Sequence, residues 1–192
     1  MNIEDLLSHN VNLPEIKSAV SWASGIEENM WRLWSLAQSD DKRTSSNALW
    51  TMTHLPVSDS EWLSSLRDQI TSMLLKESDT GKKRMLLQIL RRQDFNKDDL
   101  RTDLLDFCMS KINSECEPYA IRCFSLYVAF NMCRHYPELV DELDEHLDIL
   151  EENIMTLSPG VRSALRQTKT NISKLRKNDY GRNQNRRNKT DA

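Results

Sequence analysis

The residues with the clearest chemical potential are Glu138, Glu142 and His146, which recur at four-residue intervals and so share one face of any helix that carries them. Carboxylate and imidazole at that spacing are groups that hold a divalent cation. A solvated acidic face shows the same spacing, and eight carboxylates lie between Glu138 and Glu152. The solvated face is the preferred reading, so neither a metal nor any other cofactor is expected. Nucleophilic catalysis needs a hydroxyl or thiol held by a base. The two pairs that are close in sequence, Thr53 with His54 and Cys133 with His135, sit at spacings that turn side chains away from each other on a helix. No third orienting group accompanies them. The chain has no Gly-x-Gly-x-x-Gly, Gly-x-x-x-x-Gly-Lys, Gly-x-Ser-x-Gly or His-Glu-x-x-His string, and its four glycines are too scattered to cradle a phosphate. No catalytic residue is assigned, and a non-enzymatic role is expected.

Binding chemistry is better represented. All five tryptophans (Trp22, Trp31, Trp34, Trp50 and Trp62) lie in the first third of the chain. At helical spacing Trp is mostly core, yet it is also the residue most enriched at binding hot spots. Packing is the preferred reading; Trp31 and Trp34 are the best candidates for an exposed anchor, because an end repeat has a neighbour on one side only. Arg84, Arg122 and Arg162 each open an apolar segment, and repeat-equivalent positions stack into a row along a solenoid. Such a row binds a polyanion or an acidic peptide; alternatively, each Arg pairs with acidic side chains of the preceding unit.

The elements that place these side chains follow from a period. Polar or basic residues at Asn47, Arg84, Arg122 and Arg162 each lead an apolar helical run, at steps of 37, 38 and 40 residues, and each run is followed by a second amphipathic one. A period near 40 built from helix pairs is the mark of a HEAT- or armadillo-type solenoid, in which no pair buries its apolar face alone. The fold expected is all-α, a right-handed α-α superhelix of about four helix pairs. Residues 1–177 form a single domain.

Punctuation locates the helices. Pro14 and Gly25 bracket a first helix over 13–24, and a second follows over 26–38. Pro56 closes the next, and Ser58-Asp-Ser-Glu61 and Ser114-Glu-Cys-Glu117 have the form of capping boxes. The helix running through Cys133 is apolar on nearly every side and belongs at a centre. Pro137 and Pro159 open the last two helices.

Charge is divided. Residues 1–173 carry 19 Lys and Arg against 27 Asp and Glu, whereas residues 174–192 carry seven against two. Residues 178–192 lack an aliphatic cluster and are expected to form a disordered basic tail that nucleic acid could engage or that merely solubilises the chain. No apolar run approaches the ~18 residues of a membrane span and the N-terminus is acidic, so a cytoplasmic location without membrane partners is expected. Cys108, Cys116, Cys123 and Cys133 form no Cys-x-x-Cys pair and read as reduced core thiols.

The stretches Ser46-Asn-Ala-Leu-Trp-Thr-Met-Thr-His-Leu-Pro, Leu104-Leu-Asp-Phe-Cys, Cys133-Arg-His-Tyr-Pro-Glu-Leu and Leu157-Ser-Pro-Gly-Val-Arg-Ser-Ala resemble a family of short Bacteroidetes proteins with an armadillo-like fold. Some members of that family carry an adenylosuccinate lyase label. The Ser-Ser-x-Met-Pro-x-Lys-x-Asn-Pro loop of true lyases does not occur in this chain, so the resemblance implies the fold and not the activity. The helix-pair period also resembles the HEAT-like DNA glycosylases that remove alkylated bases, which implies nucleic-acid binding as the alternative. A sequence pI near 5.8 is opposite to the basic surface such binding normally uses. The reading is a protein–protein interaction scaffold or adaptor whose protein partner the sequence does not name.

Overall fold

In a computed structural model the backbone is described for residues 1–190 and the side chains for all of these except Asp99 and residues 179–190. Every regular element among them is helical. The chain divides into two compact units, residues 1–94 and 95–192.

The first unit holds α1 (Ile3–Ser8), α2 (Leu13–Ala23), α3 (Glu27–Ala37), α4 (Lys42–Thr53), α5 (Ser60–Ser65), α6 (Arg67–Lys76) and α7 (Thr80–Leu90). Helix α4 packs against α1, α2, α3 and α7, so it is the centre of the unit. Its buried face is partly polar, with Thr44, Ser45, Thr51 and Thr53 beside Ala48, Leu49 and Met52. Most of those hydroxyls find backbone acceptors: Ser45 donates to the Ala37 carbonyl at 2.6 Å, Thr51 to Asn47 at 2.9 Å and Thr53 to Trp50 at 2.7 Å. Buried hydroxyls cost little once bonded in this way. Asn47 reaches the other way, its Nδ2 donating to the carbonyls of Leu7 and His9 at 2.8 and 2.9 Å. These two bonds satisfy the end of α1, a helix of six residues too short to hold itself together in water. Arg92 closes α4 in the same manner through the carbonyls of Thr53 and Leu55.

The second unit begins with the buried Phe95 and a 3-10 turn at Lys97–Asp99, followed by α8 (Thr102–Ile112), α9 (Tyr119–Cys133), α10 (Pro137–Glu152) and α11 (Pro159–Thr190). Helix α9 touches α8, α10 and α11, the central placement expected from its apolar circumference. It buries Ile121, Leu126, Val128, Ala129, Met132 and Cys133, at about 1.5–3 kcal/mol for each large side chain. Helices α10 and α11 are laced by charge: Lys169 meets Asp148 (2.7 Å) and Glu151, and Arg176 meets Asp141 and Asp144, both at 2.6 Å. The basic tail expected at 178–192 lies, apart from Asn178, outside the residues whose side chains are described.

Several local expectations need correction. Neither Ser-x-x-Glu string forms a capping box. Residues Val57–Asp59 make a 3-10 turn before α5, whose N-cap Asp59 gives no capping bond. Glu117 pairs with Lys111 at 2.8 Å instead, and α9 starts after Pro118 with no side-chain cap. The capping box that does form is Asn12 with Glu15, at 3.1 and 2.7 Å. The segment from Ser60 to Lys76 is not one continuous helix: it breaks at Leu66, where Ser65 Oγ donates back to the Trp62 carbonyl at 2.7 Å and competes with the helical ladder.

Candidate functional site

In the first unit Gly25 ends α2 with a φ of +74°, a conformation that costs other residues a Cβ clash, and its N–H donates to Asp59 Oδ1 at 3.2 Å. Asp59 is buried, and its second oxygen has no partner. This bond ties the α2–α3 turn to the segment that leads into α5, so Ile26 and Val57 come to the same end of the unit. Both are exposed, at 51% and 79%. From there α3 carries Trp31, 42% exposed, whose ring meets that of Trp62 on α5 edge to face with centroids 5.9 Å apart. Trp31 Nε1–H donates to Glu27 at 3.3 Å, one turn back on the same helix. The result is an apolar face with a braced, partly solvated indole.

Trp34, the other candidate for exposure, is 4% exposed, as the packing reading has it. It is three residues further along α3, and its Nε1–H donates to Gln69 Oε1 of α6 at 2.9 Å. The neighbouring helix covers it, so it is core and not an anchor. Trp22, Trp50 and Trp62 are half-buried.

The arginines also separate. Arg84 is exposed on α7. Arg122, on α9, is 5% exposed, and its Nε donates to the Ile112 carbonyl at 2.9 Å, closing the end of α8. Arg162 is half-buried on α11. Among the described residues Arg122 has no carboxylate partner, so the ion pair with a preceding unit does not form there.

Arg122 lines a cleft of about 400 Å³ in the second unit, together with Asn113, Tyr119, Ile149, Asn153 and Leu157. Asn113 ends α8, with Nδ2 3.0 Å from His146 Nδ1, while its buried Oδ1 has no partner. Tyr119 and Ile149, on the starts of α9 and near the end of α10, are 58% and 49% exposed. Sequence reasoning missed this cleft because its members come from three helices and carry no spacing of their own.

The catalytic pairs weighed from sequence are occupied elsewhere. Thr53 Oγ1 lies 3.0 Å from His54 Nδ1, closer than the spacing suggested, but the hydroxyl is buried and its proton goes to the Trp50 carbonyl. His135 Nε2 lies 2.7 Å from the Phe95 carbonyl. Cys108 and Cys133 are buried; burial pushes both thiols up, Cys133 to about 12 with help from the nearby Glu142 charge. Cys116, expected in the core, is exposed in the turn before α9, where no helix covers it. Among the described residues no group of three or more His, Cys, Asp or Glu is arranged to hold a metal. No helix among them is long and apolar enough to cross a membrane.

Helices packed about the central α4 in one unit and α9 in the other define a helical-repeat fold. The chain belongs to the HEAT repeat domain family, which it matches over residues 3–172. No curated protein sequence matches it. HEAT repeats generally serve as protein-interaction scaffolds.

Proposed function

We propose that this protein is a non-enzymatic adaptor that holds a protein partner on the apolar face around Trp31. The observation that carries the reading is an indole left 42% exposed while a second indole braces it edge-on. A large ring held in one orientation loses little entropy on binding and offers much apolar area, which is why such positions dominate interfaces. Ile26 and Val57 are further exposed apolar side chains of the same unit, and exposed apolar surface marks interaction sites. Arg84, free of the core, is a second candidate contact in this unit. Trp34 acts only by packing.

The test is quantitative mass spectrometry of what co-purifies with the tagged full chain from its own host, with and without nuclease, beside Trp31→Ala and Arg84→Glu. A stoichiometric protein that survives nuclease and is lost with Trp31→Ala supports the adaptor; a hot spot of about 2 kcal/mol or more weakens binding roughly thirtyfold. Recovery of nucleic acid, with protein companions released by nuclease, replaces the adaptor with the nucleic-acid alternative.

A further inference from the structure

Buried charges in proteins are paired, because an isolated one forfeits its hydration. Arg122 departs from this: it is 5% exposed, bonds one backbone carbonyl through Nε, and meets no carboxylate among the described residues. It does, however, line the cleft. The same cleft holds a second unmet demand, the amide of Asn113, one end of which is bonded to His146 while the other is buried without a partner. Turning that amide over exchanges oxygen for nitrogen and still leaves one end unpaired. The first N–H groups of α9 add positive character at the Tyr119 end, since no side chain caps them. Glu115 stands exposed on the rim, where solvent screens it, and Lys111 is already engaged by Glu117.

These groups specify an occupant. A cation without a counter-ion calls for an anion, and an amide end that is either donor or acceptor is met by a peptide group, which offers both. Ile149, Leu157 and Tyr119 supply apolar walls that a bare inorganic anion would leave unused. The volume, about 400 Å³, is at the small end of ligand pockets and suits one side chain with its flanking backbone. We infer that this cleft binds an acidic side chain of a partner peptide, its carboxylate on Arg122 and its backbone on Asn113, with apolar flanking residues against Ile149 and Tyr119. The site belongs to the second unit alone and does not depend on the reading of Trp31.

The experiment titrates the full chain with the blocked peptide acetyl-Leu-Glu-Phe-amide, its Gln counterpart and inorganic phosphate, followed by amide NMR shifts. The Glu peptide is expected to move the signals of Asn113, Tyr119, Arg122 and Ile149. The Gln counterpart binds about tenfold more weakly or worse, the worth of one charge-assisted hydrogen bond. Ile149→Glu, an exposed change that spares the core, produces the same loss with the rest of the spectrum intact. No shift at millimolar peptide, shifts elsewhere, or equal affinity for the Glu and Gln peptides overturns the assignment. Phosphate binding as tightly as the Glu peptide overturns it in favour of a simple anion site.

Discussion

Arg122→Glu separates a structural arginine from a surface one. In the parent, the guanidinium donates to the Ile112 carbonyl at 2.9 Å from a position that is 5% exposed. Losing a hydrogen bond from a charged donor costs about 1.5–3 kcal/mol, and the carbonyl left unmet costs about 1–3 kcal/mol more. The introduced carboxyl is an acceptor facing an acceptor, so it recovers neither. The sum, about 2.5–6 kcal/mol, lies in the upper part of the range for single substitutions. For a chain of 192 residues each kcal/mol moves the melting temperature by about 2–4 °C, so a fall of at least about 5 °C is expected. Arg84→Glu, on the exposed α7 position, stays within about 0.5 kcal/mol of the parent. Burial raises the pKa of the introduced carboxyl, so the folded form holds its proton to higher pH than the unfolded one, and the penalty relative to the parent grows as pH rises through that interval. Urea and thermal denaturation at neutral and mildly acidic pH measure both. Equal stability of the two variants would refute the burial argument.

Two further outcomes are expected. Native-state alkylation labels Cys116 first, while Cys108 and Cys133 react only on unfolding, because burial holds their thiols protonated; rapid labelling of either in the folded protein contradicts their placement. For Lys169, burial alone would lower the ammonium's pKa, but the hydrogen bonds and charges of Asp148 and Glu151 outweigh it and raise the value above that of an ordinary lysine. The stabilisation is therefore complete below the unfolded pKa and lost as pH rises through the folded one. Lys169→Met should cost under about 1 kcal/mol near neutrality, discounted for solvent screening, with the difference shrinking in alkali; a difference that widens with pH reverses the sign of the argument.

The fold was legible where burial imposes a repeat. Each helix pair must hide an apolar face, so apolar runs recur at 37 to 40 residues, and the prolines at 14, 137 and 159 place the starts of α2, α10 and α11 within a residue. Helix α1 escaped because only Ile3 and Leu7 are buried in it and its carbonyls are met by Asn47, some 40 residues away. The Ser-x-x-Glu strings misled because a capping box needs the serine at the last non-helical position, and Pro118 and the 3-10 turn at Val57 displaced that position.

The site was less legible, and the arginines show why. Arg84 is the fifth residue of α7, whereas Arg122 and Arg162 are the fourth of α9 and α11. One residue turns a side chain by about 100° around a helix, enough to move it from a packed face to solvent. Similar spacing along the chain therefore did not give similar exposure. The tryptophans follow the same logic, since Trp31 and Trp34 share the broad apolar stripe of α3 and only α6, through Gln69, distinguishes them. Periodicity reports that a face is apolar; which part of it is covered depends on a neighbouring helix whose contribution no local pattern encodes. What the structure adds is that pairing: Trp34 covered and Trp31 open, Arg84 in solvent and Arg122 buried at a cleft without a counter-ion. A side chain that is exposed yet held, or buried yet unmatched, is where interaction energy is still to be gained.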